Sequence, residues 1–252
     1  MDFQKRLISF ALSACLLLLF GCSDDPSLSV DEGSLPCTTS VPSVAEGEVV
    51  DIYQPQLAVT DALLLPVEQN SYPRIHSISH VMIHFMSAIV KHPDDPYSLE
   101  NVHENFYNGG ASVHYVIARD GTVYRLVNER YVAWHAGRGT WANDERYTDR
   151  MNQYAVGIEM LAIGSKKDMR TMLSSEKYDA VDPAWIGYTE EQYAALAALV
   201  DDICARHGIP KDREHVLGHE DYTARKSDPG ELFDWTKIGL SSQSPPYAAT
   251  AK

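Results

Sequence analysis

The chain has 252 residues, 21 of them basic and 35 acidic, for a formal net charge of −14. A balance that acidic argues against nucleic acid or anionic lipid headgroups as the binding partner, since both need a basic face. The length and the 44% apolar content suffice for one domain with a sizeable buried core.

At the start, Lys5 and Arg6 precede an apolar run from Leu7 to Phe20, too short to span a bilayer comfortably. This is the outline of a secretory signal over residues 1–21. It ends in Leu19-Phe20-Gly21-Cys22, which resembles a bacterial lipobox with Cys22 as the lipidated residue. Phe20 is bulkier than the residue usual at that place. Residues 22–44, opening Ser23-Asp24-Asp25-Pro26 and poor in aromatics, read as a flexible tether. The Ser-Asp-Asp run resembles the surface-export signal of some Gram-negative lipoproteins. The expected location is therefore the bacterial envelope, lipid-anchored in the outer membrane and facing the periplasm or the exterior. Residues 45–252 are the expected folded domain. Cys37 falls in the tether and Cys204 on a helix face; a bridge between them stays open, and neither reads as a catalytic thiol.

Inside the domain, strand and helix signals alternate. Val81 to Phe85 reads as a short strand. Ser98 is placed to cap a helix from Leu99 to Tyr107, stopped by Gly109-Gly110. Val113–Ile117 and Thr122–Val127 flank Asp120-Gly121, a strong hairpin signal. Tyr154–Leu161 is apolar on both faces, as a central strand should be. The clearest helix runs from Thr189 to His207, with a Thr189/Gln192 capping box and Gly208 and Pro210 at its end. Tyr193, Leu196, Val200, Ile203 and Cys204 recur on one of its faces as a core stripe. The expected fold is α/β: a single domain with a mixed central sheet flanked by helices.

The apolar segment Val216-Leu217 leads into Gly218-His219-Glu220-Asp221-Tyr222-Thr223-Ala224-Arg225-Lys226-Ser227-Asp228-Pro229-Gly230. A histidine and a carboxylate at the mouth of one loop are candidate zinc ligands. A catalytic zinc usually has three protein ligands plus water, so a third must come from elsewhere. The best candidate is His84, at the end of an apolar run. Glu159 lies in an otherwise apolar strand, where a carboxylate is costly unless paired or functional. Lys226 precedes Asp228 by two residues, a spacing that puts both side chains on one side of an extended loop. Arg225 is expected to point into solvent. His76, His80, His92, His103, His207 and His215 carry no comparable signal.

Taken in order, Ile83-His84-Phe85, Ser112–Ile117, Asp120–Tyr124, Ala133-Trp134-His135-Ala136-Gly137, Val156-Gly157-Ile158-Glu159 and the Gly218–Gly230 loop resemble the zinc N-acetylmuramoyl-L-alanine amidases. That family includes bacterial muropeptide amidases, phage lysozyme-type amidases and animal peptidoglycan-recognition proteins. The resemblance covers about residues 78–236. It implies zinc held by His84, His219 and Asp228, with Glu159 as the general base and Lys226 stabilising the oxyanion. His135 is implied either to line the cleft, where it could contact substrate, or to support the site from behind, and Trp134 and Trp141 are candidates for stacking on substrate. One of His114 and Tyr115 is expected behind the site. The phage and animal branches carry a catalytic Tyr where this chain has Val113, and a Cys where it has Asp228. Both differences match the bacterial branch, although the loop from His219 to Lys226 is slightly shorter than usual there. The implied reaction is hydrolysis of the amide joining N-acetylmuramic acid to L-alanine, on peptidoglycan or muropeptides. A non-catalytic peptidoglycan-binding module and a zinc peptidase of the stem peptide are the alternatives. Oligomeric state stays open.

Overall fold

The structure, a computed structural model, describes residues 51–249. The expected signal and the whole of the tether, with Cys22 and Cys37, lie outside the described residues. No helix among those described is long and apolar enough to cross a membrane.

In chain order the elements are β1 (Thr60–Asp61), β2 (Ser71–Pro73), β3 (His80–Met86), α1 (Leu99–Gly109), β4 (Tyr115–Ile117), β5 (Val123–Arg125), β6 (Tyr131–Ala133) and β7 (Ala155–Leu161). Then come α2 (Lys166–Met169), α3 (Ser175–Asp179), α4 (Glu190–His207), β8 (Val216–Gly218) and α5 (His219–Tyr222). Six strands form one mixed sheet in the order β1-β5-β4-β7-β3-β8, and β2 pairs antiparallel with β6 in a second small sheet. Strands β4, β7, β3 and β8 run parallel, and the β4–β5 hairpin turns the chain back. The expected α/β class is observed.

The hairpin forms where Asp120-Gly121 placed it. Gly121 takes φ +83°, in the left-handed region, and donates its N–H to the Ala118 carbonyl at 3.0 Å. The strand expected from Val113 starts at Tyr115, since Ser112 instead donates its N–H to Trp134. β7 occupies an interior place, and Glu159 is its one residue that is not fully buried.

Helix α4 carries the capping box: Thr189 Oγ1 accepts from the Gln192 N–H, and Gln192 Oε1 accepts from the Thr189 N–H, both at 3.1 Å. The Gln192 amide also donates to the carbonyls of Ile117 (3.1 Å) and Leu161 (3.0 Å), tying the helix start to the ends of β4 and β7. Tyr193, Leu196, Val200 and Ile203 pack on Val81, Ile83, Val156, Ile158 and Met160, forming the main core. Cys204 belongs to this cluster, and burial pushes its thiol up to about 11, far from a reactive thiolate. Alternation along a strand sends Met82, His84, Ala155, Gly157 and Glu159 to the opposite face. That face holds the candidate site.

Candidate active site

Three parallel strands bring their carboxyl ends to one edge of the sheet, where α/β folds commonly bind ligands. His84 stands near the end of β3, and its register partner on β7 is Glu159. β8 ends at Gly218, and His219 opens α5 directly after it. A Cβ on Gly218 would lie 2.6 Å from Pro229 Cδ, so only glycine lets the returning loop rest against this strand end. The Glu220 N–H donates to the Asp228 carbonyl at 3.0 Å, which sets Asp228 beside His219. Asp221 Oδ2 secures the turn by accepting from the Gly218 N–H (2.7 Å) and from Arg213 (2.8 Å).

The result is a close triad. His84 Nδ1 lies 3.1 Å from His219 Nδ1 and 2.7 Å from Asp228 Oδ2, with His219 Nδ1 3.0 Å from the same oxygen. The Ala136 carbonyl can only accept, so His219 Nε2, 2.9 Å away, carries the ring proton. His219 thereby turns its other ring nitrogen, Nδ1, toward a carboxylate oxygen, and the three atoms together offer a cation one ligand atom each. Zinc donors held at 2.0–2.2 Å in a tetrahedron stand about 3.3–3.6 Å apart, so the triad atoms, 2.7–3.1 Å from one another, would spread slightly to take the ion. Two imidazoles and one carboxylate are a typical catalytic zinc set. The residues fit the metal.

Burial, above all, lowers the His84 imidazole to about 4, leaving it neutral at physiological pH. Burial also opposes ionisation of Asp228, but the charge and hydrogen bonds of His219 and His84 outweigh it and hold the carboxyl below its usual range. Burial, reinforced by Asp228, pushes Glu159 well above the usual carboxylate range, with Lys226 acting against the shift. Glu159 Oε2 is buried without a hydrogen-bond partner. Such an orphan costs free energy, and no ion pair among the described residues offsets it.

Two hollows flank the triad. One of about 440 Å³ is lined by Glu159, Phe85, Ile89 and Met172 as well as the triad. The other, about 350 Å³, is lined by Arg138, Arg225, Lys226 and Trp134 with no carboxylate, a local reversal of the acidic balance of the chain. Lys226 is exposed and borders both hollows. Arg225 does not simply point into solvent. Its guanidinium donates to the Arg138 carbonyl and to Thr223 Oγ1, along the cleft wall.

Trp134 borders both hollows, as does the ring of His135. His135 also places Nδ1 3.0 Å from His84 Nε2. Trp141 is not available for stacking on substrate: it is 2% exposed and packs with Met82, Met151 and Tyr222. His114 is buried behind His135, accepting from the Gly157 N–H at 3.0 Å, whereas Tyr115 donates to Glu129 at 2.6 Å on the other side of the sheet. Asn152 was missed by sequence reasoning. Its Oδ1 accepts from the N–H groups of His135 (3.0 Å) and Ala136 (2.7 Å), and nothing in its sequence surroundings signals that role.

Residues 74–231 match the family model described as N-acetylmuramoyl-L-alanine amidase, well over half of the chain. The chain belongs to that family. As a member it is an amidase, an enzyme. It is 30% identical to the 1,6-anhydro-N-acetylmuramyl-L-alanine amidase AmpD of Haemophilus influenzae, over 68% of this chain and 85% of the relative. It is 29% identical to AmpD of Salmonella typhimurium over 84% of this chain and 96% of the relative. Identity to the N-acetylmuramoyl-L-alanine amidase AmiD of Escherichia coli is 36%, over 46% of this chain and only 36% of that longer protein. The amidase fold is seen again in the crystal structure of a selenomethionine AmpD derivative. The TM-score is 0.55 at 22% identity, covering 76% of this chain and 97% of the other.

Proposed function

We propose that the chain is a zinc-dependent hydrolase of the amide joining the lactyl group of N-acetylmuramic acid to L-alanine, in peptidoglycan or muropeptides. The observation that carries this reading is the convergence of His84, His219 and Asp228 beside an orphaned Glu159 carboxyl. The amidase names of the relatives supply the substrate class.

Zinc held by His84 Nδ1, His219 Nδ1 and Asp228 Oδ2 would polarise the scissile carbonyl and bring the pKa of water to about 7. The chain's own groups do the rest. Glu159 Oε2 takes the proton of the attacking water and returns it to the departing nitrogen of L-alanine, a task suited to a raised carboxyl pKa. Lys226 faces the negative charge that grows on the carbonyl oxygen. Trp134 and His135 border the space for substrate.

Digestion of muropeptides with product masses tests the reading. A free L-alanine amino terminus beside intact amino sugar supports it. Release of D-amino acids would show a stem-peptide peptidase, and retained binding with unchanged muropeptides a recognition module. Digesting whole sacculi in parallel assigns the polymer or the soluble fragments as substrate.

Export and lipidation at Cys22, followed by anchoring in the bacterial envelope, complete the proposal. The mass of the mature amino terminus and partition into the membrane fraction test it. An unlipidated, membrane-free protein would refute the anchor and leave the chemistry standing.

A further inference from the structure

We infer that His135 is a positioning residue, and that His135 and Ala136 together form one bracket that aims both histidines of the triad. The inference rests on the metal reading given above. With a metal at His84 Nδ1, the nitrogen that faces Asp228 and His219, the proton of the neutral ring sits on Nε2. That N–H donates to His135 Nδ1 at 3.0 Å, and His135 must therefore carry its own proton on Nε2. His219 is oriented in the same way one residue further on, its Nε2–H donating to the Ala136 carbonyl at 2.9 Å. Adjacent residues thus serve both ligands, one through its side chain and the other through its backbone.

The bracket is fastened from behind. A single atom, Asn152 Oδ1, accepts from the N–H groups of both His135 and Ala136, at 3.0 and 2.7 Å. Room for the His135 ring is cut into β7. A Cβ on Gly157 would lie 2.5 Å from His135 Cγ, so any larger residue there displaces the imidazole. Metal-bound histidines usually donate to a carboxylate, a carbonyl or water. His84 instead donates to a neutral imidazole, which fixes its tautomer without adding a negative charge beside the triad.

The test is metal affinity, read by competition with a chelator for Zn²⁺ and by the ligand-field spectrum of the Co²⁺ protein. His135→Phe keeps the ring and removes the acceptor, whereas His135→Asn offers an amide oxygen near the place of Nδ1. His135→Phe is expected to weaken Zn²⁺ binding 10–100-fold and to change the Co²⁺ spectrum, with His135→Asn recovering most of both. Asn152→Ala, which leaves every ligand and His135 in place, is expected to lose affinity too. Wild-type affinity in folded His135→Phe, or in Asn152→Ala, would overturn the bracket, as would equal weakening in His135→Phe and His135→Asn. A wild-type protein that takes up neither metal would overturn the metal reading itself, a distinguishable result.

Discussion

Glu159 and His84 are register partners on adjacent parallel strands, so a carboxyl without a hydrogen-bond partner stands beside an imidazole committed to the triad. The sheet, rather than a loop, sets their separation. Glu159→Gln keeps the shape and removes the proposed base, and kcat is expected to fall 10²–10⁴-fold while zinc content stays at the wild-type level. Metal analysis beside steady-state kinetics checks this. Zinc loss in Glu159→Gln equal to that in Asp228→Ala would remove Glu159 from the base role.

Asp228 is where charge meets the two imidazoles, and no other carboxylate belongs to the triad. Asp228→Ala is expected to lose zinc, and with it activity. Chelation of the wild-type protein should likewise abolish turnover, with recovery on adding Zn²⁺. Full activity on muropeptides after exhaustive chelation would end the metal mechanism.

Lys226 is exposed where the two hollows meet and makes no ion pair among the described residues. Lys226→Met should therefore cost little stability. If it stabilises the oxyanion, kcat falls about 10²–10³-fold, equivalent to about 3–4 kcal/mol, with little change in KM or zinc affinity. A rise in KM alone would make it a binding residue instead.

Acid should loosen the fold through histidines outside the site. Burial, first, then His215 and Arg146 lower the buried His80 to about 4, with Asp212 opposing. The unfolded chain binds that proton below about 6.5, before the folded one does. Stability is therefore full above about pH 6.5 and falls as the pH drops toward 4, by on the order of 3 kcal/mol from this group. Urea midpoints at pH 7.5, 6.0 and 5.0 should decrease in that order, and less so in His80→Gln. Identical slopes in the two proteins would clear His80 of the effect.

Much of the framework was readable from local chemistry. Thr189, Gln192 and Gly208 bounded α4, Asp120-Gly121 made the hairpin, and the doubly apolar run around Glu159 marked an interior strand. β1, β2 and β6 are two or three residues long and, unlike the equally short β4 and β5, have no Asp-Gly turn beside them to mark them. The packing of Trp141 and the hydrogen bonds of the exposed Arg225 were illegible for another reason. Whether a tryptophan packs under a tyrosine, or an arginine folds back on a distant carbonyl, depends on partners far away in the chain.

The amino-acid order alone determined the α/β class, the family and the residue types able to hold a metal, because caps, turns and motif spacing act over a few residues. Tertiary structure decided which atoms of His84, His219 and Asp228 face one another, and that Asn152, Ala136 and Gly157 lie behind them. Those are matters of distance between side chains many residues apart. Only packing of the sheet sets them.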